Sequence, residues 1–335
     1  MGIARAIDTV LDRTIAPGYG DVGLHVRRHL PGWPADPPRL DGKVVVVTGA
    51  ASGIGEAACR GFAQLGASVR AVARDERRAH DAVGQILAAA PTADVRGLSC
   101  DVASLGALRS LADRLIAEEE RIDVLVNNAG TMPDQRRRSP DGHELMFATH
   151  VLAPFALTAW LTELLARGAP SRVINVSSGG MYGQRLPADD FQSDGTRYSA
   201  KKLYARTKRE EVVITELWAE KVASRGIVVH AMHPGWADTK GVQESLPAFR
   251  AVTGLIIRSP EEGADTIIWL GGAPEAVNST GRFWHDRRAR PTHYPLGASD
   301  DDPRDRRRLW DLCQSLVAPD KRPDPPPLVP LPSGR

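Results

Sequence analysis

At 335 residues and 42% hydrophobic content the chain can close a doubly wound sheet of roughly 250 residues and still leave length at both ends. Its 43 Lys and Arg against 41 Asp and Glu leave a formal net charge of +2, which excludes the overall pull on nucleic acid that a strongly basic chain would have. No window approaches eighteen consecutive apolar residues, and Cys59, Cys100 and Cys313 stand in no metal-ligand or disulfide spacing, so neither a spanning helix nor a metal is expected and a cytoplasmic setting is.

Residues 1–40 read as an arm. Ile3, Ile7, Val10 and Leu11 recur at helical spacing before Pro17-Gly18 and the segment Pro31-Gly32-Trp33-Pro34. That stripe is expected to pack on the chain's own domain or on a second copy of it, and a peripheral membrane contact is the less favoured alternative. From 43 onward strand signals alternate with helical ones, with strands expected at 43–48, 68–73, 94–99, 122–127, 171–177 and 226–232. This rhythm predicts one α/β domain over 41–290, a doubly wound Rossmann domain with a parallel sheet covered on both faces. Residues 291–335 read as a C-terminal extension with a helical patch around 308–313 and a disordered last part. The clusters Arg136 to Arg138, Arg287-Arg288 and Arg306 to Arg308 read as solvated surface.

The segment Thr48-Gly49-Ala50-Ala51-Ser52-Gly53-Ile54-Gly55 follows the strand-like run Val44 to Val47 and opens a helix-like run at Glu56. Gly49 permits a tight turn, and Gly53 and Gly55 let the backbone and a helix N-terminus approach a pyrophosphate. TGxxxGIG resembles the short-chain dehydrogenase/reductase family. Further strings carry the resemblance through the chain: Asp101 with Val102 after 95–100, Asn127-Asn128-Ala129-Gly130 after 122–126, Ser178 after 172–177, Tyr204 to Lys208, and Pro234-Gly235-Trp236-Ala237-Asp238-Thr239. Around Ser178, Lys208, Pro234 and Gly263 they are similar to the retinol-dehydrogenase-like branch named for dehydrogenase/reductase family member twelve and its bacterial relatives.

The resemblance implies a nicotinamide cofactor held by Thr48, Gly49, Ser52, Gly53, Ile54 and Gly55, by Asp101 and Val102 at the adenine, by Asn128, Ala129 and Gly130, by Tyr204 and Lys208, and by Pro234, Gly235 and Thr239 at the nicotinamide. At the end of the second strand, where NAD enzymes of this type carry an acid, the chain has Ala73 followed by Arg74, so NADP(H) is expected over NAD(H), although Asp75 stands next to it.

Hydride chemistry needs a proton donor or acceptor beside the carbonyl or alcohol, and a free phenol, with a pKa of about 10, is a poor base at neutral pH. A lysine one helical turn away favours the phenolate and can hold the cofactor ribose, while a serine hydroxyl supports the substrate oxygen. Two strings offer that spacing, Tyr198 to Lys202 and Tyr204 to Lys208. The intervals of 26 residues from Ser178 to Tyr204 and 30 from Tyr204 to Pro234 favour the second, with Tyr198 left as an aromatic of the substrate loop. His150 stands where the family has an asparagine, 23 residues after Asn127, and is expected to hold a water of the proton relay, with a plain structural histidine as the alternative.

Leu246, Phe249, Val252, Leu255 and Ile256 read equally as the cover of an apolar ligand, as an amphipathic helix of the core or as a dimer surface. The whole reads as an oxidoreductase interconverting a lipophilic alcohol with a ketone or aldehyde, with a small-molecule substrate, no nucleic-acid partner and a homo-oligomer as an open arrangement. The rival expectation, favoured only by His150, is an NADP(H)-binding sensor or scaffold with little catalysis.

Overall fold

The computed structural model describes residues 2–195, 197–238, 257–294 and 300–318. Eight strands form one sheet: β1 Val44–Thr48, β2 Ser68–Ala73, β3 Val95–Ser99, β4 Val124–Asn127, β5 Ser171–Val176, β6 Ile227–Met232, β7 Phe283–His285 and β8 Arg288–Arg290. Their order is β3-β2-β1-β4-β5-β6-β7-β8, parallel throughout except for the antiparallel β7–β8 pair.

The valine run of β1 shows why both faces must be covered. Val45 and Val47 point into one apolar cluster and Val46 into the other, and all three are fully buried. Helices α4 (Gly53–Gln64), α5 (Glu76–Ala89) and α11 (Pro260–Gly272) close the first side with Phe62, Ile86, Ile267 and Leu270. Helices α6 (Leu105–Glu118), α8 (Ala153–Trp160), α10 (Ala200–Val222) and α12 (Pro303–Val317) close the second with Leu111, Phe155, Ile214 and Leu309. The strand order reverses between β1 and β4, which opens a crevice at the carboxyl ends of those strands.

The expected strands are all present, and β7 and β8 are additional. Each of these two is only three residues long, and the turn between them is Asp286-Arg287, both at positive φ (51° and 54°), a tight hairpin without the Asn-Gly signature that would announce it. Helix α12 is longer than the expected patch. It starts at the N-cap Asp302, whose carboxylate accepts from the Arg304 N–H at 2.8 Å, and buries Leu309 and Cys313. Its Trp310 packs on Phe155 and Trp218, so the body of the domain continues past residue 290. Residues 321–335, the last part of the tail, lie outside the described residues.

The arm comprises α1 (Gly2–Arg13), α2 (Ile15–Tyr19) and α3 (Asp21–His29), and the apolar stripe of α1 faces away from its own domain, which sets aside the first of the expected arrangements and leaves a second copy and a membrane surface open. Ile3 and Val10 are 80% and 61% exposed, while Asp8 and Asp12 are buried. The inward face is acidic because buried arginines meet it. Asp8 accepts from Arg27 Nε and from Arg290, each at 2.9 Å, and Asp12 pairs with Arg290. Arg27, itself fully buried, also reaches Asp286. Buried charges need such partners, and they come from residues far along the chain that a helical period cannot reveal. Arg287, expected on the surface, is likewise buried and grips Asp265 at 2.7 Å. Among the described residues no helix is long and apolar enough to cross a membrane.

Candidate active site

At the crevice, the turn after β1 is shaped by what it cannot contain. Gly49 and Gly53 lie at φ +69° and +58°, in the left-handed region. A Cβ at Gly55 would stand 2.3 Å from the Gly49 carbonyl and 2.4 Å from Asn128 Nδ2. The Thr48 hydroxyl accepts from the N–H groups of Asn128 and Ala129 at 3.0 and 3.1 Å, and Asn128 Nδ2 donates to the Thr48 carbonyl at 2.9 Å, so the ends of β1 and β4 are locked together. Ser52 is the N-cap of α4 but its side chain caps nothing. The first-turn N–H groups of Gly53, Ile54 and Gly55 therefore keep no intrahelical acceptor and face the crevice end of the sheet, which fits a pyrophosphate.

Further along that edge, Ala73 ends β2 buried and Arg74 is exposed beside it. Asp75 is turned away into its own helix: its Oδ1 accepts from the Arg78 N–H at 2.9 Å and its Oδ2 lies 3.4 Å from Arg78 Nε. Asp101 and Val102 follow β3, and Asp101 Oδ1 accepts from the Ala103 N–H at 3.1 Å. Gly130 and Ala129 continue from Asn128 toward His150, whose Nε2 lies 3.6 Å from where a Gly130 Cβ would be.

The catalytic candidates gather at the ends of β5 and β6 on α10. Tyr198 precedes that helix, with its hydroxyl donating to the Pro133 carbonyl, and Lys202 is exposed. Tyr204 and Lys208 share a face: Lys208 Nζ stands 5.9 Å from the Tyr204 ring centroid, and Lys208 is buried whereas Tyr204 is half-buried. Lys208 donates to the Val176 carbonyl at 2.8 Å and to Glu211 Oε2 at 2.9 Å. Burial pushes the Glu211 carboxyl up to about 7, with the Lys208 charge acting against that rise. Ser178 is half-buried just beyond β5, its Oγ accepting from the Gly180 N–H at 3.2 Å. The neighbouring Ser177 hydroxyl donates to the Lys208 carbonyl at 2.8 Å. Asn127 Nδ2 donates to Asn175, Asn175 to Thr215 Oγ1 and Thr215 to the Glu211 carbonyl, a buried chain that fixes β4 and β5 against α10.

His150 does not have a nitrogen to spare for a relay water. It lies in a π-helical turn, Ala148–Leu152, and its Nε2 accepts from the Thr131 N–H at 3.0 Å. The proton of the neutral ring is therefore on Nδ1, which donates to Thr207 Oγ1 at 2.9 Å, and the Thr207 hydroxyl donates onward to the Tyr204 carbonyl. Burial, reinforced by the Lys208 charge, holds the imidazole well below its usual range and keeps it neutral. His150 thus clamps the segment after Asn128-Ala129-Gly130 to α10, and its ring packs edge-on to Tyr204 at 5.4 Å.

Pro234 and Gly235 follow β6, with Gly235 at φ +77°. Thr239 and the apolar set Leu246, Phe249, Val252, Leu255 and Ile256 lie outside the described residues. The residues that sequence reasoning missed surround this turn: Tyr19, Arg258, His285 and Asp286. Arg258 donates to the Pro234 carbonyl at 3.1 Å and to both oxygens of Asp286. No motif spacing announces them, because they come from the arm, from the segment just before α11 and from the β7–β8 hairpin.

A family model described as short chain dehydrogenase matches residues 43–248. Dehydrogenase/reductase SDR family member 12 of Bos taurus is 38% identical over 280 residues, covering 83% of this chain and 87% of the relative. Retinol dehydrogenase 14 of Homo sapiens is 32% identical over 315 residues, covering 88% and 92%. Among solved structures, the Pseudomonas aeruginosa RhlG/NADP active-site complex superposes with a TM-score of 0.60 at 26% identity, over 73% of this chain and 94% of that one.

Proposed function

The chain belongs to the short-chain dehydrogenase/reductase family, NAD(P)-dependent oxidoreductases acting on CH–OH groups, and on that premise we propose that it interconverts a lipophilic alcohol with its ketone or aldehyde, using NADP(H) in preference to NAD(H). The observation that carries this reading is the shared face of α10, where buried Lys208 stands behind the half-buried ring of Tyr204 at the same strand ends as Ser178.

When bound, the cofactor supplies or accepts hydride at nicotinamide C4. The Tyr204 hydroxyl gives a proton to the carbonyl oxygen in reduction, or takes one from the alcohol in oxidation. Ser178 Oγ donates to that same oxygen as negative charge gathers on it. The ammonium of Lys208 favours the phenolate of Tyr204 and holds the cofactor ribose, while Glu211 and the Val176 carbonyl fix where that ammonium sits. His150 keeps the helix bearing the dyad in register with Thr131.

The NADP(H) preference is supported by Arg74, exposed at the end of β2 with no acid at position 73, and by Asp75, whose carboxylate is committed to Arg78. The RhlG structure contains NADP. The lipophilic substrate is supported by the retinol named for one relative. A guanidinium–phosphate contact of roughly 1.5–3 kcal/mol translates into about a ten- to 150-fold preference. In titrations of the purified protein NADPH should bind tighter than NADH by that factor, and Ala73→Asp with Arg74→Ala should reverse the order. Equal affinities in the unaltered protein would refute the preference. A panel of apolar aldehydes and ketones followed at the nicotinamide absorbance tests the reaction itself, and tight nucleotide binding without any turnover would favour a sensor instead.

A further inference from the structure

Tyr19 and Gly20, between α2 and α3, sit inside the wall of the site rather than beside it. The Tyr19 carbonyl accepts from the Trp236 N–H at 2.8 Å, and the Gly20 carbonyl accepts from Arg258 Nε at 3.0 Å. The same Arg258 holds the Pro234 carbonyl, so two backbone carbonyls of the arm and one of the turn after β6 are tied through one buried guanidinium and one amide. A Cβ at Gly235 would lie 2.6 Å from the Tyr19 carbonyl oxygen.

The Tyr19 side chain faces the other way across the gap. Its ring is 5% exposed, stands edge-on to His233 at 4.5 Å and His285 at 5.2 Å, and lies 2.5 Å from where a Cβ of Gly179 would be. Gly179 is the residue after Ser178. The arm therefore fills the space between the serine loop at the end of β5 and the Pro234-Gly235 turn at the end of β6. Beneath it, Arg27 ties the Gly18 carbonyl at 2.7 Å to Asp286 and Asp8, which fixes the height at which Tyr19 enters.

We propose that Tyr19, held by the arm's buried ion pairs, is a positioning residue of the hydride-transfer site: its ring and carbonyl set the separation between the Ser178 loop and the Pro234-Gly235 turn. This rests on reading that turn as the nicotinamide seat. The glycines at 179 and 235 are the two places where the arm touches these loops so closely that any side chain would displace it. Rigid support of this kind is what holds reacting groups in a productive geometry.

The test separates the two ends of the cofactor. NADPH and adenosine 2′,5′-bisphosphate, which lacks the nicotinamide half, are titrated against the full chain, Tyr19→Ala, Tyr19→Phe and the exposed-arm control Ile3→Ser, with the emission of bound NADPH as a second readout. Tyr19→Ala should weaken NADPH about five- to twentyfold and at least halve its emission gain, while the bisphosphate stays within about twofold. Tyr19→Phe and Ile3→Ser should match the unaltered chain. If Tyr19→Ala does not fold, Tyr19→Leu keeps most of the volume and carries the same comparison. Equal effects on both ligands, or none on either, would overturn the proposal. If the unaltered chain binds neither nucleotide, the cofactor reading of the site fails first and takes this inference with it.

Discussion

The crevice has two ends built by different means. At the nucleotide end, Thr48, Gly49, Gly53, Gly55 and Asn128 hold each other through backbone groups and the absence of side chains, nearly all within one short segment. At the substrate end, the turn after β6 is held by side-chain charges from distant places: Arg27 to Asp286 spans 259 residues, and Arg290 to Asp8 spans 282. The first end is written locally. The second exists only after the arm, the β7–β8 hairpin and Arg258 have come together.

The largest effect expected at the substrate end is chemical. On the role proposed for Tyr204, Tyr204→Phe removes the proton exchanged with the substrate oxygen and should lower turnover by roughly 10²–10⁴-fold, while NADPH affinity stays within about twofold. Tyr198→Phe should leave turnover within about tenfold, since its hydroxyl is spent on the Pro133 carbonyl outside the helix. An inactive Tyr198→Phe beside an active Tyr204→Phe would mean the catalytic pair has been misplaced. Turnover of a carbonyl substrate with NADPH gives both rates.

The contrast between the ends is sharpened by Arg27→Met. The change removes one partner from a buried network and two charge-assisted hydrogen bonds at roughly 1.5–3 kcal/mol each, leaving Asp8 to Arg290 and Asp286 to Arg258, which should destabilise the fold by about 3–5 kcal/mol in urea unfolding. Nucleotide-end contacts share no residue with that network, so adenosine 2′,5′-bisphosphate affinity below the unfolding transition should be unchanged. A loss of bisphosphate binding in parallel with stability would erase the distinction drawn between the two ends.

What was legible in the sequence follows the same division. The strands from β1 to β6, the glycine turn and the Tyr204-Lys208 spacing depend on neighbours a few residues apart, and the α/β doubly wound fold follows from their alternation. The sequence left open whether the stripe of α1 meets its own domain, a second copy or a membrane, because an amphipathic period says which residues share a face, not which face is buried. Buried Arg27 and the covered side chain of Arg290 draw the acidic face inward, and they lie on other elements. His150 was legible as a departure from the family's asparagine, but its partners Thr131 and Thr207 are set by the fold, and they convert an expected water holder into a clamp.

The smallest predicted effect lies where the substrate end meets α10. Burial raises the Glu211 carboxyl from 4.5 to about 7, so the folded protein binds this proton more tightly than the unfolded chain does. Stability from this group is then complete below about pH 4.5, declines as pH rises toward 7 and is lost above it, a change of at most about 3 kcal/mol. Glu210 and Glu144, whose carboxyls burial also raises, add slopes of their own, so the informative quantity is the difference between unaltered chain and Glu211→Gln. Glutamine keeps the shape and an oxygen for Lys208 Nζ without the ionisation. The variant should gain stability relative to the unaltered chain between pH 5 and 8 in urea unfolding at fixed ionic strength. The Lys208 charge is already part of the value near 7, so its loss of a counterion in the variant adds a constant offset and leaves the pH-dependent gain in place. Parallel stability curves across that range would show that Glu211 keeps one protonation state throughout, and the pH sensitivity assigned to the substrate end would belong to its neighbours instead.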